Sequence, residues 1–269
     1  MGESEKNALW YGEKACNTIM RKYEAAKLPP VDRFHYHQGV FLSGMYKIYS
    51  LTKNEDYFDY IKGWVDSQID EEGNIKNYDD GQLDDMQSGI LLYPLMDRTG
   101  DPRYKTALDR IVPKIYDFPK TEEGGFWHMR TLPHQMWLDG LYMGGPICAE
   151  YGYRYHKPEY TELVIKQILL MISKTRDSRT GLLYHAWDES RSEVWADKET
   201  GCSPEFWGRS VGWVPVAILD DLDFISRDHP KYGTICQSLC SLLDAVCKVQ
   251  SSEGRWYQVL DKGDTEGNW

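Results

Sequence analysis

A carboxylate set among apolar residues is the first chemical feature of this chain. Asp139 lies in the run Met136-Trp137-Leu138-Asp139-Gly140-Leu141-Tyr142-Met143, where a carboxyl group meets apolar neighbours on either face. Burial disfavours the charged form and raises a carboxyl pKa, so such an aspartate can act as a general acid near neutral pH. The competing expectation is a buried aspartate that caps a neighbouring helix. Asp84 and Asp85 open another apolar segment, where Asp is also an ordinary first-turn or N-cap residue. Carboxylates delivered by two helices, with tryptophan beside them, suit sugar chemistry: the acids move protons at the glycosidic centre and ring faces stack on a pyranose. Trp127, Trp137, Trp187, Trp207 and Trp213 all fall in or beside these segments. Arg209, between Trp207 and Trp213, can grip a carboxylate in a bidentate fork or form a structural ion pair with an inner-helix aspartate. His128 and His185 follow matching turns and are expected either to line a cavity or to sit hydrogen-bonded on its rim.

Metal chemistry finds little support. His35-x-His37 is too short a pattern to be specific, and HExxH, EF-hand and Cys/His cluster motifs are missing from the sequence. P-loop, dinucleotide and GxSxG motifs are missing too, so neither metal nor cofactor is expected. The six cysteines form no CxxC pair and are expected to be reduced. Cys236, Cys240 and Cys247, at i, i+4 and i+11, read as small buried side chains on one helix face.

The elements that must carry these residues read as helices. Candidate segments are 4–27, 35–51, 55–69, 83–98, 102–116, 134–155, 158–175, 206–226 and 230–250. In 55–69, Tyr57, Tyr60, Ile61, Trp64, Val65 and Gln68 follow the i, i+3, i+4, i+7 template with one polar exception. The punctuation after alternate helices repeats: a polar turn, a glycine, then a short extended aromatic segment. Counted from Gly73, Gly125, Gly181 and Gly254, the periods are 52, 56 and 73 residues, which suits an array of αα hairpins. The long third period is accounted for by the polar stretch from Asp188 to Glu205, an inserted loop able to form a rim over a site. Gly39, Gly44, Gly89, Gly140, Gly208 and Gly212 fall inside the helices that open after the turns, where glycine signals close packing or room for a ligand. Such an array either closes into a toroid around a central cavity or continues as an open solenoid.

Composition narrows the function. The 269 residues carry a net charge of −11, from 42 acidic and 31 basic side chains. That balance argues against a nucleic-acid or anionic-membrane partner. No apolar run approaches the length of a transmembrane helix. The first residues, Met1 to Lys6, lack the pattern of a secretory signal, so a cytoplasmic protein is expected.

At the residues named above the chain resembles the unsaturated rhamnogalacturonyl hydrolases of glycoside hydrolase family 105, with the unsaturated glucuronyl hydrolases of family 88 as relatives. The resemblance rests on Tyr36-His37-Gln38-Gly39, the Asp84 segment, Gly125-Phe126-Trp127-His128, the Trp137 to Met143 run, Leu183 to Asp188 and Trp207-Gly208-Arg209-Ser210-Val211-Gly212-Trp213. It runs from about residue 5 to the C-terminus and departs at Met129, where members often carry a basic residue; here Arg130 follows one place later. The resemblance implies an all-α (α/α)6 barrel of helical hairpins, with residues 1–269 as one catalytic domain. Such a barrel has twelve helices against the nine candidates read here, so its C-terminal helices are expected to be lacking. It implies Asp139 as proton donor and Asp84 as its partner, with His37, His128, Trp137, His185, Trp207, Arg209 and Trp213 binding the sugar. The implied substrate is an oligosaccharide ending in a 4,5-unsaturated uronic acid, of the kind a lyase leaves on pectic rhamnogalacturonan. The alternatives are a sugar epimerase on the same fold and a truncated, non-catalytic carbohydrate-binding protein.

Overall fold

Residues 7–263 are described by the structure, a computed structural model. Among them the chain forms nine α-helices, three short 3₁₀ segments and one two-stranded ladder, so the all-α expectation holds. The helices are α1 (Ala8–Lys22), α2 (Tyr36–Thr52), α3 (Glu55–Gln68), α4 (Leu92–Thr99), α5 (Pro102–Tyr116), α6 (Asp139–Arg154), α7 (Pro158–Thr175), α8 (Gly208–Leu222) and α9 (Tyr232–Lys248). Strands β1 (Gln135–Trp137) and β2 (Ala186–Asp188) pair antiparallel, with Trp137 opposite Ala186. The chain divides into two units: residues up to Asp80 with Asp84–Lys114, and Gly81–Leu83 with residues from Ile115 onward.

In the first unit α3 shows why the sequence folds as it does. Asn54 caps it by accepting from the Asp56 N–H at 3.1 Å, and Glu55 and Asp56 place negative charge at the positive end of the helix dipole. Tyr57, Tyr60, Ile61, Trp64, Val65 and Gln68 are all buried, as their spacing predicts. Asp66, on the same helix, accepts from the Tyr104 hydroxyl at 2.8 Å and from Arg103 at 3.2 Å, which fastens α5 to α3. Gly39 of α2 meets the 3₁₀ segment at 87–91 so closely that a Cβ would stand 2.5 Å from the Ser88 Oγ.

The second unit packs α6 against α7 and α8, and α9 against α7 and α8. The buried stripe of α8 includes Ser210, Val214, Ala217 and Asp221, spaced i, i+4, i+7 and i+11. Helix α9 buries Ile235, Leu239, Leu242 and Ala245. Here the cysteine expectation fails: Cys236 is half-buried and Cys240 and Cys247 are exposed. Their stripe lies one residue, or about 100°, from the aliphatic one, and the larger aliphatic side chains win the core. All six cysteines are free thiols.

The hairpin turns repeat more closely than the sequence reading allowed. In each of four, the glycine N–H returns to the carbonyl of the residue that opens the turn: Gly73 to Asp70, Gly124 to Thr121, Gly181 to Asp177 and Gly254 to Ser251, at 2.9–3.1 Å. The opening side chain accepts a second backbone N–H, from Asn74, Gly125, Thr180 and Arg255 respectively. The turn glycine of the second repeat is therefore Gly124, with φ of +90°, and not Gly125. Gly125 is small for another reason, because a Cβ there would lie 2.2 Å from the Met136 sulfur.

Four helix boundaries also differ. The expected helix 4–27 ends at Lys22, and its residues 4–6 lie outside the described residues. The segment 83–98 starts as 3₁₀ turns and becomes α-helical only at Leu92, with Pro94 in the first turn, where its missing N–H is tolerated. Residues 135–137, expected to be helical, form β1, so α6 begins at Asp139. Helix α8 begins at Gly208, because Trp207 is paired in a bridge with Val259. Among the described residues no helix is long and apolar enough to cross a membrane.

Candidate active site

The second unit gathers most of the sequence-predicted site residues, and the aromatic segments after the turns do the gathering. His128 follows the second turn, and its N–H bonds to the Gln135 carbonyl of β1 at 2.9 Å. His185 precedes β2, and its carbonyl accepts from the Leu138 N–H at 3.0 Å. That ladder places Trp137 between two histidines: it stacks on His128 with ring centroids 4.7 Å apart and meets His185 edge-on at 5.5 Å. Trp207 meets the other side of His185 at 5.7 Å, again edge-on, and the Arg209 guanidinium lies 4.3 Å from the Trp207 ring centre. One continuous row therefore runs His128, Trp137, His185, Trp207, Arg209, with a cation at its end held by a cation–π contact.

Asp139 stands at the first position of α6, not in mid-helix, and is 6% exposed. Its Oδ2 accepts a hydrogen bond from the Ser210 hydroxyl, which is fully buried in the first turn of α8. The alternative of a carboxylate capping a neighbouring helix backbone does not describe this contact, since the donor is a side chain. Burial lowers the His128 pKa to about 4 and also lowers that of His185, and a negative charge on Asp139 would pull both the other way. Both rings are thus neutral at ordinary pH, and Nδ1 of His185 is buried without a hydrogen-bond partner among the described residues. One turn along α8, Trp213 stacks on Tyr142 of α6 at 5.2 Å and 10°.

Asp84 and His37 belong to the first unit. Asp84 is half-buried in the 3₁₀ turn Leu83–Asp85. His37 is exposed, its ring stacked on Tyr36 and its Nδ1 2.7 Å from that of His35. Beside Asp84, the buried Asp85 accepts from Arg33 at 3.3 Å and from the Asp79 N–H at 3.0 Å, a structural role.

The sequence reading missed Ser210 and the brace behind Trp137. The Trp137 indole donates to Gln135 Oε1 at 3.2 Å, and Gln135 donates to Glu193 at 2.9 Å. Glu193 lies in the inserted loop, which Asp188 folds by accepting from the N–H groups of Ser190 and Glu193. A polar residue at a stripe position of α8 was the available signal for Ser210. Among the described residues no group of three or more His, Cys, Asp or Glu is arranged to hold a metal ion.

Comparison with known proteins agrees with the helical fold. A family model described as Glycosyl Hydrolase Family 88 matches residues 11–269. The chain is 29% identical over 237 residues to "Unsaturated rhamnogalacturonyl hydrolase YesR" of Bacillus subtilis, covering 84% of this chain and 64% of that protein. It is 35% identical over 127 residues to "Protein Atu3128" of Agrobacterium fabrum, covering 47% of this chain and 54% of that one. The chain thus spans just under two thirds of the first relative and about half of the second. A solved glycoside hydrolase from family 105 of C. acetobutylicum superposes with a TM-score of 0.90 at 35% identity, over 96% of this chain and 72% of that one. The unsaturated glucuronyl hydrolase of Bacillus sp. GL1 superposes with a TM-score of 0.65 at 14% identity, covering 86% and 61%, a likeness of fold alone.

Proposed function

This chain belongs to glycosyl hydrolase family 88, and from that premise we propose that it removes a 4,5-unsaturated uronic acid from the non-reducing end of lyase-generated oligosaccharides. The observation that carries the reading is Asp139, a buried carboxyl beside a row of neutral histidines and tryptophans that ends in Arg209. Asp139 gives its proton to C4 of the unsaturated ring, and positive charge develops at C5 and the ring oxygen. Water then adds at C5 and returns a proton to the Asp139 carboxylate. The resulting hemiketal opens, and the hemiacetal left at C1 expels the neighbouring sugar. A well-placed acid supplies about 10²- to 10⁴-fold of such a rate. Arg209 holds the uronate carboxylate, and the faces of Trp137, Trp207 and Trp213 with His128 and His185 accept the ring. Asp84, as partner carboxylate, and His37 enter the proposal from their motifs alone.

Pectic rhamnogalacturonan is the proposed parent polysaccharide, a choice that rests on the family resemblance. Six free thiols suit a reducing, cytoplasmic setting. The experiment is incubation with an unsaturated galacturonyl-rhamnose disaccharide, followed by the ultraviolet absorbance of the conjugated uronate. The absorbance is expected to disappear, with products heavier by one water in total, and Asp139→Asn is expected to abolish the change. Turnover that survives D139N would sink the assignment. The neutral pair His128 and His185 is the one observation that suits an epimerase, and an unchanged substrate mass would favour that reading.

A further inference from the structure

We propose that Ser210 is a positioning residue for Asp139, a role that rests on the reading of Asp139 as proton donor. Among the described residues the Ser210 hydroxyl is the one donor that reaches the Asp139 carboxylate, and it does so at Oδ2. Neither group can exchange the other for water freely, because Ser210 is fully buried and Asp139 is 6% exposed. The two come from different helices, the first turn of α8 and the first residue of α6, so the hydrogen bond fixes the carboxyl plane relative to both. Two titratable rings near Asp139, those of His128 and His185, are neutral.

This arrangement divides the labour between the two carboxyl oxygens. With Oδ2 engaged, the acid proton resides on Oδ1, which is the oxygen that forms the new C–H bond at C4. When that proton leaves, the charge left on the carboxylate is met by the Ser210 O–H, and a hydrogen bond to an ionised acceptor is about twice as strong as a neutral one. The carboxylate then takes back one proton from the water whose oxygen bonds to C5. The serine proton is never transferred. Ser210 acts on the proton-transfer step and not on capture of the sugar, because its side chain is spent on Asp139.

The test compares wild type with Ser210→Ala by the loss of uronate absorbance, and Ser210→Cys, near-isosteric but a weak donor, replaces alanine should that variant not fold. The expected result is kcat lowered about 10- to 100-fold with KM within threefold. A second measurement needs no turnover: thermal midpoints of Ser210→Ala, Asp139→Ala and the double variant are expected to be non-additive, because the partners touch. The proposal is overturned if kcat stays within twofold of wild type, if the loss falls in KM alone, or if the midpoints add. A wild type that leaves the unsaturated uronide untouched would instead overturn the activity reading, while the midpoints would still report on the hydrogen bond.

Discussion

Two of the buried polar residues, His35 and His128, are histidines held neutral. His128 is held at a pKa of about 4 and His35, in the first unit, at about 3, in both cases chiefly by burial, with Arg33 and His37 adding to the effect at His35. An unfolded histidine titrates near 6.5. Between that value and about 4 the unfolded chain therefore binds more protons than the folded one, and stability falls as pH drops through the window. We expect the urea midpoint to decline from pH 7 to pH 4.5, with His128→Asn removing part of the slope, on the order of 1–3 kcal/mol. An unchanged slope in H128N would contradict the burial argument. Asp139 was legible because a carboxylate inside an apolar run is conspicuous. Ser210 was not, because a serine stands out only once α8 is known to begin at Gly208 and the stripe it joins is fixed.

Helix α8 carries a second polar residue on that stripe, and it has no such partner. Asp221 is fully buried, and neither carboxyl oxygen has a hydrogen-bond partner among the described residues. It faces α6 at Gly145, where a Cβ would lie 3.1 Å from its Oδ2, and Cys148 of the same helix lies close enough for its charge to be felt. Burial, with Asp220 adding to it, pushes the Asp221 pKa well above the ordinary carboxylate value. The sign is then opposite to that of the histidines: the folded state holds a proton that the unfolded chain has lost, and stability falls as pH rises above about 4. Asp221→Val removes the buried polar group, and we expect it to stabilise the protein by about 1–3 kcal/mol at pH 8, with a smaller gain at pH 5. Thermal melts at the two pH values measure this, and a gain independent of pH would mean that Asp221 does not titrate. The elements themselves were legible where a long apolar period speaks, as in α3, and illegible where three residues decide. Strand β1 is held by its ladder with β2, whose paired residues lie 49 to 53 positions on in sequence, and no local period announces a pairing at that distance.

At the scale of the whole molecule, the hairpin array could be read from its punctuation, since Asp70, Thr121, Asp177 and Ser251 open turns with one shared hydrogen-bond pattern. Which helix faces they bring together could not, because that depends on where each helix starts. Charge is the remaining global property, and it acts against the proposed substrate. A net charge of −11 repels an anionic sugar at long range, whereas Arg209 in its proposed role attracts it at contact. Salt separates the two: the Debye length shrinks from about 30 Å at 0.01 M to about 10 Å at 0.1 M, which screens the distant repulsion more than the close ion pair. Raising ionic strength over that range is therefore expected to increase kcat/KM for the unsaturated disaccharide about two- to fivefold, where an enzyme with a cationic approach would lose rate. The methyl ester of the same disaccharide, which carries no charge, serves as control and is expected to show no such rise. A kcat/KM that falls with salt for the acid but not for the ester would mean that an attractive field wider than Arg209 guides the substrate in.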